Sequence, residues 1–328
     1  MSVDRRLVNL GIFLLVLGAV PLAVSQGWVA RDTISRAWDL WPLILIGLGV
    51  GLILRRTPFH FVGGLLVAAT FGTMFGSVLA SGFSLSALGC TNAASATDPS
   101  LLDRHGTFSG ETANVVLDAT CASVSVVPAT GAGWGVTVNG TEGSRPSLDQ
   151  AADRIDVRSP DRAIGFPFTD GRRSRWNVTL GPGAVYAIDL NLNAGDVRLD
   201  LGGLRVDTLT AQGNAIGTSR LLLHDATVSR LDLQVNAGDL KVDLPASANL
   251  TGNIQANAAS IALCADPGIG IRLRNASTVT GDNFAAAGLL RSGATWESPG
   301  ISAAAHVVDL AIEGAAANFR LNPSEGCR

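Results

Sequence analysis

The stretch NAGDVRLDL at residues 193–201 returns almost unchanged as NAGDLKVDL at 236–244. Looser copies start at Asn214 (NAIGTSRLLL) and Asn257 (NAASIALC). The four asparagines, Asn193, Asn214, Asn236 and Asn257, are 21, 22 and 21 residues apart. A period in this range marks stacked rungs, because one rung alone has nothing against which to bury its apolar face. The rungs read as strands. VTL, AIDLNL, VRLDL, LRVDTLTA, SRLLL, SRLDLQV and LKVDL place an apolar residue at every second position, as a half-buried strand requires. The sequence therefore predicts a mainly β domain, a right-handed single-stranded β-helix or solenoid. Gly195-Asp196 and Gly238-Asp239 are expected in turns between strands, since Gly adopts positive φ and Asp bonds its own backbone. The asparagines are expected to stack as a ladder between rungs.

Working outward, residues 306–321 (HVVDLAIEGAAANFRL) return to the alternation and close the solenoid, whereas 281–300 interrupt it and predict a short helix. On the other side, strands begin near Ala113 with ANVVLDA, ASVSVVPATG and WGVTVNGT. The loop SPDRAIGFPFTDGRRSRW (159–176) is read as a solvated loop whose Phe residues cover a solenoid end; contact with anionic headgroups is the alternative. The β domain is assigned to 113–328 and a small, polar linker to 90–112.

Residues 1–89 hold nearly all the long apolar runs. Three helical spans are expected at about 7–25, 39–55 and 59–82, the second short for a roughly 30 Å hydrocarbon core. Gly47-x-x-x-Gly51 and Gly72-x-x-x-Gly76 offer surfaces for close helix packing. Arg5, Arg6, Arg55 and Arg56 fall on one side of such an anchor and Arg31 and Arg36 on the other. The excess of arginine puts the N-terminus in the cytoplasm. The expected location is thus a bacterial cytoplasmic membrane, multi-pass, with the C-terminal domain extracytoplasmic.

The net charge of −3 argues against a nucleic-acid partner. One lysine, Lys241, against 23 arginines, with abundant Ala and Gly, points to a GC-rich bacterial genome. The cysteines, Cys90, Cys121, Cys264 and Cys327, form no C-x-x-C pair, so a zinc site is not expected. An even set in one polar domain predicts two disulfides and an oxidising compartment. Four cysteines allow three pairings. Cys90–Cys121 with Cys264–Cys327 is the expected one, because Cys264 and Cys327 each follow a similar strand, ASIAL and ANFRL.

Parallel β-helices include polysaccharide lyases and hydrolases, whose sites need converging acids and often aromatic platforms. Asp196, Asp200, Asp239 and Asp243 recur with the repeat and are read as structural. His105, His224 and His306 lack a nearby Ser or Cys nucleophile motif and are read as surface or strand-packing residues. No Walker loop, dinucleotide fingerprint or calcium nonapeptide occurs. No catalytic residue, metal or cofactor is expected.

The segment RLVNLGIFLLVLGAV…WDLWPLILIGLGVGLIL resembles the membrane module shared by LiaI and LiaF proteins. RWNVTLGPGAVYAIDLNLNAGDVRLDLGGLRVDTLTAQGNA resembles the toast-rack β-domain of LiaF-like and adhesin-type proteins. The two resemblances cover most of residues 5–80 and about 110–325. They imply a non-enzymatic cell-envelope protein that senses or scaffolds in an envelope-stress response. The implied partners are the lipid bilayer and a membrane sensor kinase or other envelope protein. An adhesin-like surface module for glycan or protein is the alternative, and a glycan-active β-helix enzyme a third reading. Oligomeric state is not legible.

Overall fold

A computed structural model describes residues 11–19, 41–53, 61–80, 90, 92–93, 98–160, 172–274, 281–323 and 327. The chain forms two compact units, Met1–Ala87 and Leu88–Arg328.

In the first unit α1 covers 11–19, α2 Trp41–Ile53 and α3 Phe61–Ala80. Glycine lets these helices approach closely. A Cβ on Gly63 of α3 would meet Gly51 Cα of α2 at 2.6 Å, and one on Gly72 would meet Val16 Cβ of α1 at 2.9 Å. The outward sides carry exposed Leu15, Leu52 and Ile53. The three-span anchor and the multi-pass membrane location are overturned here. Among the described residues no helix is long and apolar enough to cross a membrane. The thirteen residues of α2 rise only about 20 Å, against a core of about 30 Å. Of α3, side chains are described over 63–73. Hydropathy scores apolarity residue by residue and does not measure the length of a helix. The remaining parts of the expected spans, and the Arg5, Arg6, Arg31, Arg36, Arg55 and Arg56 positions, lie outside the described residues.

The second unit is built from parallel rungs. Within the stretch expected as linker lie β1 (Asn92–Ala93) and β2 (Ser100–Gly106). There follow β3 (Thr112–Pro128), β4 (Trp134–Asn139), β5 (Ser147–Ala151), β6 (Arg154–Arg158) and β7 (Arg172–Leu180). The repeats supply β8 (Val185–Asp200), β9 (Arg205–Ile216), β10 (Thr218–Leu222), β11 (Thr227–Asp243) and β12 (Leu250–Cys264). The chain ends with β13 (Gly270–Arg274), β14 (Gly281–Asp282), β15 (Leu290–Ser292), β16 (Thr295–Glu297), β17 (Val307–Gly314) and β18 (Asn318–Leu321). Parallel pairing runs β3–β8–β9/β10–β11–β12–β17/β18–β13/β14. Over 281–300, where a helix was expected, the chain makes turns and the antiparallel pair β15–β16.

Each rung has two arms. In β8 the even positions Tyr186, Ile188, Leu190 and Leu192 are buried; after 193–195 the odd positions Val197 and Leu199 are. In β3 burial switches from 113–119 odd to 122–126 even, and in β12 from Ile254 and Ala256 to Ala259, Ile261 and Leu263. Alternation has period two, so this one-residue slip re-aims the apolar side where the strand turns its corner. Both arms thereby feed one hydrophobic core. Gly195 and Gly238 sit at these corners, inside continuous strands and not between them, with φ of 142° and 126°. A Cβ on Gly195 would collide with the Ala122 carbonyl, and one on Gly238 with that of Ile216. The corner needs glycine for conformation and for clearance.

The middle rungs bury Leu, Val, Ile and Ala. Large rings collect at the two ends. Trp134, Trp176 and Tyr186 are buried at one, with Phe108 against both Trp134 and Tyr186. Phe284 and Phe319 are buried at the other, with Phe284 edge-on to Trp296. End rungs of a stack lack a neighbour on one side, and bulky side chains cover what would otherwise be open core. β17 enters between β12 and β13, so the last long segment of the chain is locked inside the stack and not left on its edge.

Candidate contact surface and the His224 cleft

In-register parallel pairing puts equivalent repeat positions one strand spacing apart, about 4.8 Å. At the corners this aligns the four asparagines. Asn214 Nδ2 donates to Asn193 Oδ1 at 2.7 Å, Asn236 Nδ2 to Asn214 Oδ1 at 2.6 Å, and Asn257 Nδ2 to Asn236 Oδ1 at 2.6 Å. All three bonds point the same way, so every amide in the column has one fixed orientation. A second amide column runs two residues earlier. Gln212 Nε2 donates to Gln234 Oε1 at 2.8 Å, Gln234 is in register with Gln255, and Gln255 Nε2 donates to Glu313 Oε2 at 3.4 Å. These columns are solvent-exposed. Each side-chain amide has two donors and an acceptor with two lone pairs, so ladder bonds leave hydrogen-bonding capacity on every rung.

The other arm is charged on its outer side. Asp196 pairs with Arg173, and Arg220 Nη2 donates to Asp243 Oδ2 at 2.8 Å and to the Cys327 carbonyl at 2.8 Å. Asp239 is exposed, in register with Thr218 and Ser260. Asp200 Oδ1 accepts from the Gly202 amide at 3.3 Å.

Where this arm ends, a cleft of about 450 Å³ opens between successive turns, lined by Asp200, His224, Asp225, Asp243, Asp266 and Cys327 among others. His224 stands between two carboxylates: Nδ1 is 2.8 Å from Asp225 Oδ1 and Nε2 is 2.7 Å from Asp266 Oδ2. The hydrogen bond to Asp266, then that to Asp225, holds the imidazole above its ordinary value near 6.5. Among the described residues no Phe, Tyr or Trp lines the cleft, and Asp243 is taken by Arg220. Among the described residues no group of three or more His, Cys, Asp or Glu is placed to hold a metal ion.

Cys90 is bonded to Cys121 and Cys264 to Cys327, with Cα–Cα distances of 5.8 and 5.6 Å. The second bond fixes the end of the chain beside the cleft, where Arg220 also grips it. His105 is exposed near Asp103, and the His306 carbonyl accepts from the Gly270 amide. Of the 159–176 loop, residues 161–171 lie outside the described residues; Arg173 and Arg175 belong to β7.

His224 is the residue that reading by local motif passed over. Its partner Asp266 is 42 positions away, twice the 21-residue repeat. That spacing was the available signal: in a stack, residues two repeats apart in the turns lie two rungs apart in space.

No protein-family model matches the chain, so the LiaF-like membrane module is not shown, and no curated protein matches it. Among solved structures it is similar to a "putative cell adhesion protein" from Clostridium sporogenes ATCC 15579, at 13% identity and TM-score 0.47, over 67% of this chain and 98% of that one. It is also similar to a "putative adhesin" from Bacteroides fragilis NCTC 9343, at 8% identity and TM-score 0.28, over 70% of this chain and 99% of that one. A "putative lipid binding protein" from Parabacteroides distasonis ATCC 8503 aligns at 10% identity and TM-score 0.20, over 70% and 98%. Likeness at these scores carries no argument about function.

Proposed function

We propose that the chain is a non-catalytic contact module of adhesin type, which engages an extended glycan or protein along its rung stack. The observation that carries this reading is the pair of in-register amide columns, Asn193–Asn257 and Gln212–Gln255. They form a hydrogen-bonding face whose spacing and orientation are set by the backbone before any partner arrives, so binding orders little. Among its described lining residues the cleft has no Phe, Tyr or Trp on which a sugar would stack, which favours a binding role over a hydrolytic one. Adhesion and sensing or scaffolding in an envelope-stress response are two uses of such a face. They differ in partner: a glycan or surface protein for the first, an envelope protein for the second.

The full-length protein is to be sedimented with insoluble cell-wall glycan and, separately, crosslinked in native membranes. Gln212→Ala combined with Gln234→Ala and Gln255→Ala removes side chains from the exposed column without touching the core. Loss of sedimentation or of a specific crosslink in this variant supports the reading. Unchanged binding by the variant, or depolymerisation of the glycan, overturns it.

A further inference from the structure

His224 belongs to the turn 223–226 that follows β10, and it reaches two other turns of the stack. Its carbonyl accepts from the Ala246 amide, in the turn after β11, at 3.0 Å. Its Nε2 meets Asp266, in the turn after β12, at 2.7 Å. Its Nδ1 meets Asp225 beside it at 2.8 Å. One side chain therefore ties turns two rungs apart, across the mouth of a cleft of about 450 Å³.

Both ring nitrogens face carboxylate oxygens, which only accept hydrogen bonds. An imidazolium donates from both nitrogens and satisfies both. A neutral imidazole has one N–H, and its bare nitrogen then confronts a carboxylate lone pair. Among the described residues the other charged groups around the cleft are Asp200 and Asp243, with Arg220 bonded to Asp243. Arg220 is already engaged and cannot replace the lost proton. Asp225 belongs to the same turn as His224 and moves with it. Asp266 lies in a separate turn, beyond β12, so its bond is the one broken when the turns part.

We propose that His224 is a pH-sensitive clasp: protonated, it ties the turn at 223–226 to that at 265–269 and narrows the cleft; neutral, it lets the second turn go. The fold supplies the spring. The arms are fixed by ladder pairing and by the Cys264–Cys327 bond, and the turn at 223–226 is held to its neighbours by backbone bonds, the Gly203 amide to the Asp225 carbonyl and the Ala246 amide to the His224 carbonyl; its contact with 265–269, two rungs away, is made through the His224 and Asp266 side chains.

The test uses the full-length protein. The ring of His224 is titrated by NMR, its signal identified by its absence in His224→Gln. Amide exchange over 244–249 and 265–269, corrected for intrinsic rates, is followed across that titration. The expected result is about fivefold loss of protection as His224 deprotonates, the scale of one charge-assisted bond at a partly exposed site. In His224→Gln, protection should be low at every pH. In Asp266→Asn, whose amide no longer favours the imidazolium, the His224 midpoint should fall and protection over 265–269 should cease to follow pH. Constant wild-type protection through the His224 titration overturns the clasp, as does an Asp266→Asn protein with the wild-type pH response.

Discussion

Gly195 crosses the Ala122 carbonyl so closely that no Cβ fits between them, and it does so at φ 142°. The two residues belong to adjacent rungs, in β8 and β3, and their corners nest. Replacing Gly195 by Ala therefore adds a steric collision to backbone strain. Gly203 is the control: its φ is 76°, but the space around it is open. Gly203→Ala should cost about 1–2 kcal/mol for conformation alone. Gly195→Ala should cost clearly more, about 3 kcal/mol or above, by the mechanisms that give large single-site losses. Denaturant unfolding of the two variants measures the difference; equal losses would mean the corner is not tightly nested.

Within the asparagine ladder, Asn214 and Asn236 each make two bonds, while Asn193 and Asn257 make one. An exposed side-chain hydrogen bond contributes at the low end of about 0.5–1.5 kcal/mol. Asn214→Ala should thus lower stability by about 1 kcal/mol and Asn193→Ala by about half as much. A thermal melt series over the four positions should rank the interior pair below the end pair.

The disulfides close segments of 31 and 63 residues. In the chain-entropy model each constrains the unfolded chain by about 4 kcal/mol, the longer slightly more. Cys264→Ser with Cys327→Ser should lower the unfolding midpoint at least as much as Cys90→Ser with Cys121→Ser. It should also free the chain end from Arg220, seen as new protease cleavage near the C-terminus of that variant only.

Two groups set opposite pH limits. Hydrogen bonds to Asp266 and Asp225 raise the pKa of His224 above the unfolded value near 6.5. Its contribution is therefore complete below that value and is lost as pH rises through the higher folded one. With the side chain 39% exposed, screening keeps it to less than about 1 kcal/mol. Asp156 behaves oppositely. Bonds from Arg158 and Arg154, strongest from Arg158 and partly offset by burial, hold its carboxyl below 3.8. Its contribution is present above the unfolded value and is lost as pH falls through the lower folded one. In stability profiles, His224→Gln should flatten the slope above neutrality and Asp156→Asn the acid slope below about pH 4. Exchange of these two effects, or their absence, would contradict the assigned partners.

Much of the second unit was legible in the chain. The 21- to 22-residue return of Asn-Ala and the alternation of apolar positions specify parallel rungs, because in-register stacking maps equal repeat positions onto one another. The corners were misplaced between strands, since alternation alone does not tell a break from a one-residue slip: Leu192 and Val197 look like two strands in sequence and are one bent strand in space. The apolar runs of the first 89 residues misled for a related reason. Composition records apolarity at each residue, whereas helical length, thirteen residues for α2, is given only by the structure.

By itself, then, the sequence determined the repeat, the alternation, and the glycine and asparagine positions that recur with it. These are local or periodic properties and survive without knowledge of distant contacts. Tertiary structure decided the rest. It chose among three cysteine pairings, inserted β17 between β12 and β13, gathered rings at both ends of the core, and set His224 between Asp225 and Asp266. Each of these joins residues far apart in the chain, and the free energy that selects them comes from burial and hydrogen bonding that exist only once the rungs have stacked.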